Sequence, residues 1–242
     1  MGCWGDGQGL SIAKMRGKLI VFEGVEGCGK TTQLQRLYTW LVNSKVLQCL
    51  QNEGHLNGVV ITREPGGTSL GKVLRQLLLE QQAGLSLQDR TELLLYAADR
   101  AQHVEEMIRP HLEQGFLVLC DRYTDSTIAY QGYGRKLDLS LIEQLNQIAA
   151  QGLESELTFW LNLKVELGLA RTQKRGKADR IEQANLAFHH RVQCGFEALA
   201  AAHPQRIVPI NASLSETAVS QIIQSILEQQ LIQWYQPLSV NL

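Results

Sequence analysis

A glycine-rich turn followed by a lysine and two threonines contains the residues of this chain with the clearest chemical use. Gly24, Gly29, Lys30 and Thr31 have the spacing G-x-x-x-x-G-K-[ST]. Glycines at such positions let consecutive backbone N–H groups surround phosphate oxygens, and the start of a following helix adds positive potential. We therefore predict a phosphate loop over residues 24–32, in which Lys30 contacts the β- and γ-phosphates and Thr31 holds Mg²⁺.

This spacing also occurs by chance in unrelated chains, so the flanking sequence has to show whether it forms a phosphate loop. Residues 19–22 are apolar and predict a strand, and apolar residues recur every three or four positions over 30–43, which predicts a helix. A strand, a glycine-rich turn and a helix in this order are the context that a phosphate loop needs. The alternative, an ordinary glycine turn, is disfavoured by this context.

An aspartate follows a second continuously apolar run. Residues 116–120 are typical of a strand buried in a parallel sheet, and Asp121 comes directly after them. The carboxyl ends of parallel strands share one edge of a sheet, so we predict that Asp121 holds the magnesium shell opposite Thr31. The alternative is an aspartate that caps a helix.

Three arginines fall at the same predicted edge or on its flanking helix. Arg63 and Arg122 follow strands, and Arg100 shares a helical stripe with Tyr96. The phosphate loop already accounts for a triphosphate, so the three guanidinium groups predict a second phosphorylated ligand, which they suit because the planar fork binds phosphate with two hydrogen bonds. Taken singly, each arginine is equally well explained as a surface or ion-pairing residue.

Side chains that suit a nucleobase lie nearby. Tyr96 has an aromatic face on which a base can stack, although a lone tyrosine in an amphipathic helix is more often a core residue. The polar segment 124–135 offers hydrogen-bonding groups for a base edge, but alone it would pass for a polar loop. Its candidate residues are Ser126, Thr127, Tyr130 and Gln131.

The basic stretch 171–180 is the last candidate for chemistry. Such runs are usually solvated surface turns. The alternative is a mobile lid, whose positive charge would stabilise the transferring phosphoryl group while water is excluded. Arg175 is our first choice for the catalytic group, because a guanidinium bridges two phosphate oxygens and Gly176 provides a pivot. Arg171 is the second choice, and Lys174 stays open.

Strands and helices alternate along the chain and predict an α/β fold of the P-loop NTPase type. Its parallel five-stranded sheet is flanked by helices on both faces. The predicted strands are 19–22, 59–62, 116–120, 157–161 and 206–210. The longest helical pattern covers 88–113, and another helix carries apolar residues from Ile181 to Leu199. Thr68 and Asp138 are predicted helix caps, and Ser213 with Glu216 predicts a capping box. Segment 44–58 has mixed polarity and several breaking residues, and we assign it no function.

Composition limits the class of protein. The 242 residues, 44% of them hydrophobic, suffice for one domain over 17–242 with a loose extension over 1–16. A formal charge of −1 argues against a nucleic-acid polymer as partner. The five scattered cysteines predict reduced thiols and a cytoplasmic protein. No apolar run approaches the roughly 18 residues of a membrane span, and residues 1–7 do not look like a signal peptide.

Six segments together resemble one family, the thymidylate kinases, which phosphorylate dTMP with ATP. The resemblance covers residues 18 to about 230 and is carried by F-E-G-V-E-G-C-G-K-T-T at 22–32, T-R-E-P-G-G-T at 62–68, L-L-Y-A-A-D-R at 94–100, D-R-Y at 121–123, S-T-I-A-Y-Q-G at 126–132 and D-R-I-E at 179–182. T-R-E-P-G-G-T is the most diagnostic of them. The resemblance implies ATP as phosphoryl donor, Mg²⁺ as cofactor, dTMP as acceptor, dTDP as product and a homodimer.

The resemblance also implies individual roles. Glu26 would meet the sugar 3′-hydroxyl of dTMP, Tyr96 would stack on thymine, Arg100 and Arg122 would hold the monophosphate, Asp121 would belong to the magnesium shell, and Thr127 and Tyr130 would lie beside the base. We expect ATP to contact Gly24, Val25, Glu26, Gly27, Cys28, Gly29, Lys30, Thr31 and Thr32. We expect dTMP to contact Glu26, Arg63, Tyr96, Arg100, Arg122, Ser126, Thr127, Tyr130 and Gln131.

Members of the family differ in whether a catalytic arginine lies in the phosphate loop or in the lid. Gly27 occupies the loop position here, so the chain resembles the lid type, with Lys30, Asp121, Arg171 and Arg175 as catalytic candidates. Where some lid-type relatives have R-x-R-x-R, this chain has Gln173 in place of the middle arginine, so the choice of lid residue stays open.

Three other functions agree less well with the sequence. A GTPase-like switch would need a guanine-reading N-K-x-D sequence, which the chain lacks. A kinase with another acceptor, such as a deoxynucleoside, fits less well, because two arginines match an acceptor phosphate. An inactive homologue is disfavoured by the intact Lys30, Thr31 and Asp121.

Overall fold

Five parallel strands form one sheet in the computed structural model, which describes residues 16–80, 86–174 and 179–235. The strands are β1 (Leu19–Glu23), β2 (Gly58–Arg63), β3 (Phe116–Asp121), β4 (Leu157–Asn162) and β5 (Ile207–Asn211). Their order across the sheet is β2-β3-β1-β4-β5. All neighbouring pairs are parallel, so the carboxyl ends lie along one edge. The structure confirms the predicted fold class.

Side chains of the central strand alternate between two cores. Leu19 and Val21 pack with residues 104–112 and with the start of the segment after β3, whereas Ile20 and Phe22 join a larger core on the other face. All four side chains are fully buried. Burial of one such side chain contributes about 1.5–3 kcal/mol. Helices therefore cover both faces of the sheet, as predicted.

Helices connect the strands and follow the last one. They are α1 (Lys30–Val42), α2 (Lys45–Asn52), α3 (Ser69–Leu79), α4 (Asp89–His103), α5 (Arg109–Glu113), α6 (Thr124–Thr127), α7 (Leu139–Ala150), α8 (Val165–Gln173), α9 (Leu186–Ala202) and α10 (Glu216–Tyr235). Two π-helical segments, Val104–Ile108 and Ile128–Gly134, continue α4 and α6.

Two predicted caps are confirmed. The side chain of Thr68 accepts a hydrogen bond from the backbone of Gly71 at the start of α3, and that of Asp138 accepts one from Leu141 at the start of α7. Each cap satisfies a backbone N–H group that has no partner within its helix.

Two helix starts differ from the prediction. The helix expected to carry Ile181 begins only at Leu186, because Asp179 accepts hydrogen bonds from the backbone of residues 181 and 182 and holds them in a turn. Asn185 then caps α9. The capping box at Ser213 is also wrong, since the hydroxyl of Ser215 accepts from the backbone of Ala218 and caps α10.

Two further helical stretches correct the sequence interpretation. The segment left unassigned over 44–58 contains α2, which Ser44 caps and which buries Leu47 and Leu50. The continuous helix predicted over 88–113 is interrupted by the π-helical segment Val104–Ile108. The extra residue in a π turn rotates the later side chains around the helix axis. Ile108 and the α5 residue Leu112 are both buried in the core.

Part of the chain is outside the described residues. Residues 1–15 of the predicted loose extension and residues 175–178 of the predicted lid belong to it. Within the described ranges, none of the helices has the length and apolar character needed to cross a membrane.

Candidate active site

A cleft of about 580 Å³ opens where β2 and β3 end. Its walls bring together most of the residues predicted from the sequence. They are Glu26, Gly27, Cys28, Gly29, Lys30, Thr31, Thr32, Arg63, Tyr96, Arg100, Asp121, Arg122, Ser126, Thr127, Tyr130, Gln131 and Arg171. Gly24 and Val25 belong to the same loop but do not line the cleft.

Glycines and the loop's own lysine shape the phosphate loop. Gly24 has φ of 139°, and an ideal Cβ there would lie 2.7 Å from the carbonyl oxygen of Leu161. Lys30 Nζ donates to the carbonyl oxygens of Gly24 at 2.9 Å and Val25 at 3.0 Å. Gly29 precedes α1 and offers no capping side chain. The first N–H groups of α1 are therefore open to an anion, as the motif predicts.

Thr31 and Asp121 meet at the mouth of this loop. The hydroxyl of Thr31 donates to Oδ2 of Asp121 at 2.7 Å. Asp121 reaches this place because β3 pairs with β1 in a register that sets it opposite Phe22. A hydroxyl and a carboxylate side by side in a phosphate-binding cleft are the hard oxygen ligands that Mg²⁺ takes, so the residues present fit that ion.

Arg122 is fixed between the loop and the segment after β3. Its Nη1 donates to the carbonyl oxygen of Gly24 at 3.1 Å and to Ser126 Oγ at 3.0 Å, and its Nη2 donates to Glu26 Oε1 at 3.1 Å. The guanidinium carbon also lies 4.8 Å from the centre of the Tyr130 ring. These contacts hold a permanent positive charge at the cleft wall.

Arg75 of α3 also lines the cleft and was missed in the sequence. Its Nη1 donates to the carbonyl oxygen of Pro65 at 2.9 Å. Burial, together with the like charge of Arg63, lowers the pKa of Arg75 from its ordinary value. Two cations that repel each other in a cleft favour an anionic ligand between them. The sequence offers no signal for Arg75, because this arginine lies among apolar helix residues and outside the six segments that resemble the family.

Arg100 lines the cleft, but its guanidinium group is hydrogen-bonded to residues of the protein interior. It is 2% exposed, and its guanidinium donates to Glu64 Oε2 at 2.8 Å, to Asn146 Oδ1 at 2.7 Å and to the carbonyl oxygen of Tyr123 at 3.0 Å. Glu64 Oε1 in turn lies 2.9 Å from Nδ1 of His103. The structure thus places Arg100 with the other cleft residues, and its predicted contact to a monophosphate stays a prediction.

Glu26 is a buried carboxylate that remains ionised. Oε1 accepts hydrogen bonds from Arg122 and from the hydroxyl of Tyr130, and Oε2 lies 3.4 Å from Nδ1 of His189. Burial by itself raises the pKa of Glu26, but His189, Arg122, Lys30 and Tyr130 together lower it to about 2. His189, fully buried on α9, was missed because nothing in its surroundings distinguishes it from a core histidine.

Glu23, the last residue of β1, organises the segment after β3. Its Oε1 accepts from the backbone of Tyr123 at 2.8 Å and of Ser126 at 3.1 Å, and its Oε2 accepts from Ser126 Oγ at 2.6 Å. Burial, followed by the nearby charge of Asp125, raises the pKa of Glu23 to about 7. Glu23 therefore fixes the backbone that carries Arg122.

The side of the cleft that is predicted to bind a base, its base side, is built on α4 and the π-helical segment Ile128–Gly134. Tyr96 is half-buried, whereas Thr127 and Gln131 are buried. The Nε2 of Gln131 donates to Oε1 of Glu92 at 2.8 Å. Glu92 was also missed in the sequence, because a glutamate in the first turn of a helix is usually exposed.

Helix α8 packs directly against the phosphate loop. Gly27 has φ of 68°, and an ideal Cβ there would lie 2.1 Å from the carbonyl oxygen of Gly168. Arg171, one turn further along α8, donates through Nη1 to the carbonyl oxygen of Gly27 at 3.4 Å. The structure therefore brings Arg171 to the loop. Arg175 lies outside the described residues, so its selection stays a prediction.

The strand order, the glycine-rich loop after β1 and Asp121 at the end of the adjacent strand define a protein of the P-loop NTPase class. The family model described as thymidylate kinase matches residues 22–223. The chain therefore belongs to the thymidylate kinase family, which confirms the resemblance seen in its motifs.

Individual relatives agree with this assignment. A thymidylate kinase of Cyanothece sp. is 58% identical over 233 residues, which are 93% of this chain and 100% of that protein. One of Nostoc punctiforme is 58% identical over 214 residues, 88% of this chain and 96% of that protein. The crystal structure of thymidylate kinase from Ehrlichia chaffeensis has a TM-score of 0.65 and 34% identity, and the match covers 88% of this chain and 99% of that one.

Proposed function

We propose that this protein transfers the γ-phosphoryl group of ATP to dTMP and so forms dTDP and ADP for dTTP synthesis. The observation that carries the proposal is that one cleft contains two separate sites suited to phosphate. The loop around Lys30 forms the first, and Arg63, Arg75 and Arg122 form the second. Membership of the thymidylate kinase family supports thymidylate as the acceptor.

On the donor side, the loop N–H groups and Lys30 bind the triphosphate, because they provide positive potential at the start of α1. When ATP binds, Lys30 Nζ exchanges its contacts to the loop carbonyls for phosphate oxygens. Thr31 and Asp121 would hold Mg²⁺, which when bound neutralises negative charge on the phosphates.

On the acceptor side, the arginines hold the monophosphate in line with the donor. The guanidinium group of Arg122 has a fixed orientation, because it donates hydrogen bonds to Ser126 and Glu26. Glu26, ionised at physiological pH, accepts from a sugar hydroxyl, and Tyr96 stacks on the base. We retain Arg100 as a further contact to the monophosphate. Holding both substrates in one geometry supplies much of the rate of phosphoryl transfer.

In the lid, Arg175 is proposed to contact the transferring phosphoryl group, with Arg171 as the second candidate. The contact of Arg171 with the carbonyl oxygen of Gly27 supports its place near the phosphates. A positive group that acts mainly in the transition state raises kcat more than it changes substrate affinity.

We also propose that the protein is a cytoplasmic homodimer. The four cysteines of the described residues have free thiols, as expected in a reducing compartment. Helix α4 contacts both α3 and α7, and exposed apolar side chains on the three helices make up what we call the apolar face. These side chains are Leu70, Val73, Leu94, Leu141 and Ile148. Exposed apolar side chains on three neighbouring helices favour association with a second copy.

A coupled assay of ADP release tests the proposed reaction. Purified protein is given ATP and Mg²⁺ with dTMP, dUMP, dCMP, dAMP, dGMP, thymidine or no acceptor, and dTMP should give the highest kcat/KM. Lys30→Ala should abolish turnover and leave the far-ultraviolet circular dichroism spectrum unchanged. Slow hydrolysis that is independent of any acceptor would instead favour a nucleotide switch. Turnover with thymidine above that with dTMP would favour a nucleoside kinase.

A further inference from the structure

The carboxylate of Glu92 lies behind the base side of the cleft and is used by neither phosphate site. It is fully buried in the first turn of α4. Its Oε1 accepts from Gln131 Nε2 at 2.8 Å and from Arg135 Nε at 3.3 Å. Its Oε2 accepts from Arg135 Nη2 at 3.2 Å and forms an ion pair with Arg180. Glu92 therefore holds an amide and two guanidinium groups.

The charge of Glu92 determines which way the amide of Gln131 points. Burial alone raises the pKa of Glu92, but Gln131, Arg135 and Arg180 together hold it below its ordinary value. An ionised carboxylate only accepts hydrogen bonds, so the NH₂ group of Gln131 has to face it. Gln131 lines the cleft and Glu92 does not. The carbonyl oxygen Oε1 of Gln131 is consequently the end of the amide presented on the cleft side.

Tyr96, on which a base is proposed to stack, lies one helical turn after Glu92 and also lines the cleft. Gln131 lines the same cleft, which makes its amide available to the edge of a pyrimidine stacked there. An oxygen at that edge pairs with a ring N–H and repels a ring nitrogen lone pair. Thymine and uracil have a hydrogen on N3, whereas N3 of cytosine is an acceptor.

We propose that Glu92 is a positioning residue that orients the carboxamide of Gln131 and thereby selects pyrimidines with an N3–H group, thymine and uracil, over cytosine. The inference rests on the proposed function. A site built to pair with a substrate N–H strongly rejects an analogue that lacks it, because its buried polar group is then left without a partner.

Glu92→Gln tests the inference, because a neutral amide at position 92 both donates and accepts and lets Gln131 turn. The ratio of kcat/KM for dTMP to that for dCMP should fall at least about tenfold. Arg135→Gln is the matched control: it removes a charge from the cluster but leaves the carboxylate opposite Gln131, so the ratio should stay within about twofold. Both substrates are measured on one preparation, so a loss of folded protein cancels in the ratio.

The exchanged variant Glu92→Gln/Gln131→Glu provides a rescue. The amide at position 92 then donates to the carboxylate at position 131, whose other oxygen again faces the cleft as an acceptor. Preference for dTMP over dCMP should return relative to Glu92→Gln. If Glu92→Gln does not fold, Gln131→Leu should lower the ratio to a similar extent.

Two results would overturn the inference. An unchanged ratio in Glu92→Gln or in Gln131→Leu would show that this amide does not select the base, while the proposed kinase activity would stand. Equal falls in Arg135→Gln and Glu92→Gln would assign Glu92 a structural role only. Absence of dTMP turnover in the unmodified protein would overturn the proposed function, and this inference with it.

Discussion

At the scale of single residues, the proposed acceptor side of the cleft holds more positive charge than the sequence motifs indicate. Arg75 joins Arg63 and Arg122, and the pKa of Arg75 is lowered by burial and by its like-charged neighbours. Like charges held close together in the folded state lower its stability, and an anion between them relieves the repulsion. The repulsion between these arginines therefore favours an anionic ligand in the cleft, as the proposed monophosphate site requires.

Arg75→Ala should raise the KM for dTMP by about tenfold and change the KM for ATP by less than about twofold, since a charge-assisted hydrogen bond contributes roughly 1.5–3 kcal/mol. Steady-state kinetics with one substrate varied at a time measure both constants. Lys72→Ala, an exposed position on the same helix, serves as the control. Similar increases in the two KM values would argue against a separate acceptor site at Arg75.

Glu23 should make the stability of the protein depend on pH. Its pKa is raised from 4.5 to about 7, so the folded state retains a proton that the unfolded state loses. The contribution to stability is present below pH 4.5 and is lost progressively as the pH rises to about 7, by about 3 kcal/mol at most. Urea unfolding between pH 4.5 and 8 should show a smaller decline in Glu23→Gln than in the unmodified protein. Parallel stability curves would contradict the raised pKa.

The sequence predicted the cleft better on its loop side than on its helix side. Lys30, Thr31 and Asp121 follow strand ends, where a short spacing fixes their position. Arg75 and Glu92 are positioned by contacts with residues elsewhere in the chain, and neither local composition nor helical periodicity reveals such contacts.

At the scale of elements, apolar runs located all five strands to within one or two residues. Strands buried on both faces have continuous apolar sequences, and that signal needs no knowledge of the neighbouring strands. Helix α2 escaped prediction because only Leu47 and Leu50 of its residues are buried. The π turn at Val104–Ile108 was not predicted, because a shift of backbone hydrogen bonding by one residue has no signature in the amino-acid composition.

Ser215→Ala should destabilise the protein by about 1 kcal/mol, because the substitution removes the side-chain acceptor at the start of α10. Ser213→Ala is the matched comparison, since Ser213 Oγ instead donates to Asn211 Oδ1 at 2.6 Å. Urea unfolding gives both free energies. A larger loss of unfolding free energy in Ser213→Ala than in Ser215→Ala would support the capping box predicted from the sequence.

For the lid, Arg175→Ala should lower kcat by about a hundredfold with little change in either KM, as expected of a contact made mainly in the transition state. Arg171→Ala should have the smaller effect on kcat. Both variants are measured by the ADP-release assay. A collapse of kcat in Arg171→Ala with none in Arg175→Ala would identify Arg171 as the catalytic arginine.

At the scale of the whole molecule, the apolar face lies on α3, α4 and α7, and α4 also carries Tyr96 and Arg100. Ile148 on this face is 73% exposed, and Leu94 is 50% exposed. A second copy packed there would cover these side chains and restrain the helix that forms one wall of the cleft. Association and acceptor binding would then be linked through α4.

Leu94→Glu should convert the proposed dimer to a monomer, because a charge buried in an apolar interface lacks compensating partners. Light scattering after size-exclusion chromatography gives the mass of each species. Ile222→Glu is the control, since Ile222 is exposed on α10, outside the apolar face. A monomeric unmodified protein would contradict the proposed dimer. A dimer that Leu94→Glu leaves intact would show that the two copies associate through another surface.

The touching backbones of Gly27 and Gly168 limit where a larger side chain could be placed in the phosphate loop of this chain. An ideal Cβ on Gly27 would lie 2.1 Å from the Gly168 carbonyl oxygen, and one on Gly168 would lie 2.3 Å from that of Glu26. An arginine introduced into this loop would have to push α8 away, and with it Arg171, which that helix carries. The close contact therefore makes the residue type at position 27 and the position of the helix that carries Arg171 depend on each other.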